Sequence, residues 1–121
     1  MRSKIVALSK NEEFKSLLKK KKISNKYVTI FFGILKNKSN NKLNISFVTK
    51  KKIGNAVKRN KIKRRLRNIM NDATKKVNMN LNYSYLFIAK KNIYDAEYKM
   101  IKNSILKDLT KVRWWKQYWY I

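Results

Sequence analysis

The chain contains no cysteine, no histidine and no proline, and its only glycines are Gly33 and Gly54. Without cysteine there is no disulfide, no thiolate nucleophile and no sulfur metal ligand. Without histidine there is no ordinary catalytic triad, no imidazole base and no common zinc site. Carboxylates are scarce too: Glu12, Glu13, Asp72, Asp95, Glu97 and Asp108 are all of them. A two-metal nuclease centre needs several converging carboxylates, and neighbours such as Glu12 and Glu13 point in different directions on a helix. No catalytic residue, metal ligand, protein-bound cofactor or small-molecule substrate is therefore assigned. If the chain takes part in catalysis, the reacting groups belong to something else. No apolar run approaches the roughly 20 residues of a spanning helix. The opening "MRSKIVALSKNEEF" has too short an apolar segment for a signal peptide, and acids follow at once. A cytoplasmic location without a membrane partner is expected.

Cations are what the chain has in excess. Lys and Arg number 32 against 6 acids, a formal charge of +26. Such a charge repels itself in the compact state and asks for a polyanionic partner. Nucleic acid is the first candidate and an anionic membrane surface the second. With 121 residues, 44% of them hydrophobic, the chain can bury a core of its own. There is no internal repeat or Gly/Ser linker, so residues 1–121 are expected to form one domain with an aromatic tail at about 113–121. Heavy use of Lys, Asn and Ile points to an A/T-rich coding sequence, which accounts for part of the lysine excess.

Patterning predicts the elements. Ser9 and Glu12 form an S-x-x-E capping box. A helix should follow to about residue 20, with Phe14, Leu17 and Leu18 on one face, ended by four lysines at 19–22. Residues 27–35, "YVTIFFGIL", read as a strand and 37–42, "NKSNNK", as a turn. Leu43, Ile45 and Phe47 alternate along a second strand, expected to lie antiparallel to the first through that turn. Gly54 then breaks the strand pattern and Asn55 can cap a helix. Ile62, Leu66, Ile69 and Ala73 make a single helical stripe. Residues 83–89, "YSYLFIA", are nearly all apolar, as in a strand buried on both faces. Strand, helix and strand make a parallel crossover unit. A last helix should start near Asp95 and carry Ile101, Ile105, Leu109 and Val112. In the tail, which ends with Tyr120, Trp115 and Trp119 prolong its apolar spacing and favour core packing; RNA stacking by a second row, Trp114 and Tyr118, is the alternative.

The stretch "KKIGNAVKRNKIKRRLRNIM", residues 51–70, stands out. Lys51 and Lys52 precede the helix. Lys58, Arg59, Asn60, Lys61, Lys63, Arg64, Arg65 and Arg67 surround its apolar stripe. A lysine-rich face can simply be a solvated one. Three details favour a binding face. Arginine, rare elsewhere in the chain, concentrates here, and its fork grips phosphate as Lys cannot. Asn60 can bond a phosphate, a 2′-hydroxyl or a base edge. No acid is placed to neutralise the face by i,i+4 pairing before Asp72.

This stretch resembles the signature of the bacterial ribonuclease P protein subunit, in which a Lys-x-Gly-x-Ala-Val approach leads into a basic helix with an Arg-Asn-Arg core. "LSKNEEFKSLL" is similar to the family's first helix, "LNISFVTKK" to the strand before the signature and "YLFIAKK" to the strand after it. The resemblance spans roughly residues 8–109. Two positions depart from it: Lys61 closes the Arg-Asn-Arg core, and Lys90 stands where the family usually has Arg. Both keep the charge but lack the fork. No motif of the family matches the aromatic tail.

The resemblance implies an α+β fold: an α-β-β-β-α-β-α sandwich with a mixed sheet and a left-handed β-α-β crossover, similar to a ribosomal-protein-like domain. It also implies a short extra strand near Ile23. The partners it implies are the ribonuclease P RNA and precursor tRNA, with Mg²⁺ held through the RNA subunit. The implied RNA contacts are Lys51, Lys52, Asn55, Lys58, Arg59, Asn60, Lys61, Lys63, Arg64, Arg65, Arg67 and Lys90. The 5′ leader would lie in a cleft between the first helix and the sheet, lined by Phe14, Leu18, Val28 and Ile30, residues whose alternative is plain core packing. The chain then reads as a non-catalytic subunit assisting endonucleolytic removal of the leader. A structural ribosomal or nucleoid-type coating protein is the alternative. A protein-only nuclease is disfavoured by the missing histidine and acid cluster.

Overall fold

The computed structural model describes residues 5–8, 11–35, 43–76 and 83–118. The chain opens with β1 (Ile5–Val6) and α1 (Asn11–Leu18), then β2 (Lys21–Ser24), β3 (Val28–Gly33) and β4 (Leu43–Val48). A single 3-10 turn (Lys51–Ile53) leads into α2 (Ala56–Lys76), which is followed by β5 (Ser84–Ala89), a second 3-10 turn (Lys91–Ile93) and α3 (Tyr98–Tyr118). From α1 onward this is the α-β-β-β-α-β-α order. The Ser9 cap, the 37–42 turn, and Trp119 and Tyr120 lie outside the described residues.

The strands form one mixed sheet in the order β1-β4-β5-β3-β2. Here the expected hairpin is corrected. β3 and β4 do not pair; β5 lies between them, antiparallel to β3 (Ile30 opposite Phe87) and parallel to β4 (Phe47 opposite Phe87). Alternation tells which face of a strand is buried, but not which strand lies beside it. The strand apolar on both faces, β5, takes the centre, where both faces are covered. Two further strands flank it. β2, at the expected Ile23, lies beyond β3. β1 runs parallel to β4 at Leu43 and Asn44 and has no counterpart in the sequence reading.

One face of the sheet carries α2 and α3. Val28, Ile30 and Phe32 of β3, Leu43 and Ile45 of β4, and Tyr85, Phe87 and Ala89 of β5 meet Ile62, Leu66, Ile69, Met70 and Ala73 of α2 there. Ile101, Ile105, Leu109 and Val112 of α3 complete this core. Among the described residues the other face carries only α1, whose Leu17 packs with Leu8 and Leu86 beside Phe14, Phe31, Val48 and Ile88.

Backbone bonding sets the hand of the crossover. Asn25 N–H donates to Val28 O (3.0 Å) and Lys90 N–H to Tyr27 O (2.8 Å). Val28, Ile30 and Phe32 therefore bond toward β2, and their partners Ala89, Phe87 and Tyr85 bond toward β4. The side chains of those β5 residues enter the core beneath α2. In an L-chain running upward, a residue whose side chain faces the viewer bonds to the viewer's right. Seen from α2, β4 thus lies to the right of β5, and the chain passes leftward from β4 over α2 to β5. The crossover is left-handed, against the prevailing rule.

Candidate nucleic-acid interface

α2 is held at both its start and its side. Asn55 Oδ1 accepts the Lys58 N–H at 3.0 Å, the cap that its position suggested. The side-chain oxygen of Asn55 is thereby engaged in the fold. The stripe from Ile62 to Ala73 is fully buried, so the remaining circumference must face outward. Lys58, Asn60, Lys61, Arg64 and Arg67 are exposed, and Arg59, Lys63 and Arg65 are half-buried. Lys51 and Lys52, exposed on the preceding turn, extend the same cationic surface.

No acid interrupts it. Asp72 turns to α3, where Lys102 Nζ donates to it at 2.8 Å. That bond and charge hold the Asp72 carboxyl below its ordinary value and the Lys102 ammonium above its own. Asp108, buried in the core, accepts from Asn25 Nδ2 at 2.8 Å. The acids are thus dispersed, and among the described residues no three of them come together as metal ligands would.

A groove of about 460 Å³ opens beside this surface, lined by Ala7, Phe14, Ile45, Ser46, Phe47, Val48, Lys63 and Arg67. It exists because β1 stops early. β1 pairs with β4 only at Leu43 and Asn44, leaving residues 46–48 as an open edge. Leu8 N–H donates to Ser46 Oγ (2.9 Å) and pins the incoming chain beside that edge. Phe14 of α1 forms one wall and Phe47 part of the floor, braced edge-on by Phe87 at 5.7 Å. Lys63 and Arg67, one turn apart on α2, supply a cationic rim. One turn earlier on the same flank, Arg59 Nε is shielded from solvent without a hydrogen-bond partner in the protein. A buried donor left unmet costs about 1–3 kcal/mol, which an incoming acceptor would offset.

The cleft expected between α1 and the sheet is therefore present but differently lined. Phe14 is in it. Leu18, 49% exposed, points away to solvent. Val28 and Ile30 are corrected: both are fully buried on the opposite face, in the core under α2 and α3. The period of two along β3 sends Thr29 and Phe31 toward α1 instead. Phe47, Ser46 and Val48 were missed as lining residues. The available signal was an aromatic closing a strand directly before the basic turn.

Lys90 is also placed elsewhere than expected. Its ammonium donates to Ser24 Oγ (2.7 Å) and Asn25 O (2.6 Å). The Asn25 side chain in turn accepts the N–H groups of Tyr27 (2.7 Å) and Val28 (3.0 Å). Lys90 thus clasps the β2–β3 turn, away from the α2 face, and its charge serves the fold.

The sequence profile of the ribonuclease P family matches residues 3–113. The chain is 36% identical over 106 residues to the ribonuclease P protein component of Alkaliphilus oremlandii, covering 87% of this chain and 89% of that protein. With the Fusobacterium nucleatum ribonuclease P protein component it shares 38% over 112 residues, covering 87% and 91%. In three dimensions it is similar to the Staphylococcus aureus RNase P protein, with a TM-score of 0.71, 27% identity, and 88% and 94% of the two chains covered. The Thermotoga maritima RNase P protein has the same fold, with a TM-score of 0.72 at 21% identity, over 88% and 96% of the two chains. A basic helix beside an aromatic groove, this topology and these relatives agree: the chain belongs to the ribonuclease P family.

Proposed function

We propose that this chain is the RNA-binding protein subunit of a ribonuclease P, and that it assists a catalytic RNA in removing the 5′ leader of precursor tRNA. The observation that carries this reading is the groove with Phe14 and Phe47 inside and Lys63 and Arg67 on its rim, adjoining the open cationic face of α2. An aromatic floor with a cationic rim suits single-stranded RNA, since bases stack while cations follow the backbone. The broad α2 face suits the phosphates of a structured RNA. The groove accordingly takes the leader, and the exposed side of α2 takes the RNA subunit. The Mg²⁺ required for hydrolysis belongs to that RNA, because the dispersed acids of this chain do not fit a metal site. The same reading locates the protein in the cytoplasm, with the RNA it serves.

The test is reconstitution. Purified protein with Mg²⁺ alone should leave precursor tRNA intact, and adding a bacterial ribonuclease P RNA should give a single cut at the leader junction. Protein should improve substrate affinity most at low salt and low Mg²⁺, where phosphate repulsion is least screened. Leaders of several nucleotides should gain more than one-nucleotide leaders, and Phe47→Ala should abolish that difference. Robust cleavage without RNA would refute the subunit reading. A benefit independent of leader length would remove the groove from it.

A further inference from the structure

The flank of α2 facing away from the groove holds a second constellation. Tyr94 follows the 3-10 turn after β5 and is half-buried, partly packed against the main core. Lys58 Nζ lies 5.0 Å and Lys61 Nζ 5.8 Å from the centre of its ring. Two ammonium groups thus approach one aromatic ring. Among the described residues no carboxylate lies within ion-pair distance of either, and Asp95 and Glu97, nearby in the chain, are exposed. One turn beyond Lys61, Arg65 adjoins Ile62, Leu66, Ile93 and Ile101. With about 100° of rotation per residue, Lys58, Lys61 and Arg65 fall on one side of the Ile62–Leu66 stripe and Lys63 and Arg67 on the other.

A cation is attracted to a ring face, but a second beside it repels the first, and among the described residues no carboxylate offsets that repulsion. Phosphate would. An unpaired nucleotide brings both components such a site lacks: a base with a flat face for the ring, and phosphates for the two ammonium groups. We propose that Tyr94 is a second RNA contact, on which an unpaired base of the RNA subunit stacks while Lys58 and Lys61 swing from the ring to the flanking phosphates. This rests on the RNA-binding reading above and extends it. α2 separates two RNA segments, with the leader in the groove on one flank and an unpaired segment of the RNA subunit on the other.

The experiment uses the full chain and two probes, a ribonuclease P RNA and an eight-nucleotide single-stranded leader mimic. Tyr94→Leu should weaken binding of the ribonuclease P RNA roughly 5- to 150-fold, the range of one lost base–aromatic stack. Its salt slope should not change, because no charge is removed, and the leader mimic should bind as before. Tyr94→Phe should bind both probes like the unaltered protein, since a phenyl ring also stacks. In the unaltered protein, ribonuclease P RNA carrying 5-iodouridine should photocrosslink to Tyr94, as mapped by peptide mass. A folded Tyr94→Leu protein with unchanged affinity for the ribonuclease P RNA would overturn the proposal. So would crosslinks that form elsewhere but never at Tyr94, or a Tyr94→Phe defect as large as that of Tyr94→Leu. If Tyr94→Leu does not fold, the crosslink on unaltered protein decides. If the unaltered protein binds neither RNA, the RNA-binding reading itself fails, an outcome distinct from a defect confined to one probe.

Discussion

The two faces of the sheet are built to different degrees of closure. Two long helices, α2 and α3, cover one face and seal a continuous core from Tyr27 to Val112. The eight-residue α1 covers the other, where Leu8, Leu17 and Leu86 are the buried hydrophobic cluster. The difference separates the buried core, on which stability rests, from the groove proposed to bind RNA. The half-covered face leaves the β4 edge open, and a groove forms where α1, β4 and the side of α2 meet.

The largest expected effect is on the closed face. Leu66, fully buried in α2, should cost roughly 2–5 kcal/mol of stability when changed to Ala, measured by denaturant unfolding, while the fraction still folded binds RNA normally. A loss under 1 kcal/mol would break the contrast between the faces. Lys90→Ala comes next. It removes the clasp on Ser24 and Asn25 and should cost about 1–3 kcal/mol of stability, as charged hydrogen bonds do. Its effect on RNA affinity should be small, and a binding defect in a stable Lys90→Ala protein would restore Lys90 to the RNA surface.

At the groove and on the outer side of α2 the order reverses. Phe47→Ala should weaken the leader mimic by about 1–3 kcal/mol, one stack's worth, with a smaller effect on stability than Leu66→Ala. Equilibrium binding and thermal melting of the same variant would separate the two. Arg64, exposed on α2, should lower the salt slope of RNA binding by about one when changed to Ala and leave folding intact. It is a cleaner probe than Arg65, whose stem adjoins Ile93 and Ile101 and would lose packing as well as charge.

The smallest effect belongs to the half-buried Asp72–Lys102 pair. Asp72 titrates below its ordinary 3.8, so its contribution is present above that value and lost as pH falls through the lowered one. Lys102 titrates above its ordinary 10.5, so its contribution is present below that value and lost as pH rises through the raised one. Melting temperature should thus be insensitive to this pair near neutrality. Asp72→Asn should flatten a shallow decline at the acid end. A large loss at pH 7 would contradict the small worth of an ion pair still in contact with solvent.

The amino-acid order by itself determined a good deal. The i, i+4, i+7, i+11 spacing from Ile62 to Ala73 defined both the buried stripe of α2 and the cationic face opposite it, because helical geometry is local. Asn55 as cap and β5 as the doubly buried strand followed equally from local chemistry and composition. What only the tertiary structure decided was adjacency. Alternation in β3 showed two faces without saying which one α1 would cover, so Val28 and Ile30 were assigned to the groove when they belong to the core. Nothing local told that β5 would separate β3 from β4, that β1 would stop after Asn44 and leave Phe47 beside an open edge, or that Lys90 would reach across to Ser24. Nor could spacing bring Tyr94 under Lys58 and Lys61, 36 and 33 positions earlier in the sequence. Those placements depend on long-range packing and on the left-handed path over the sheet. They are properties of the whole chain's contacts, which no window of residues contains.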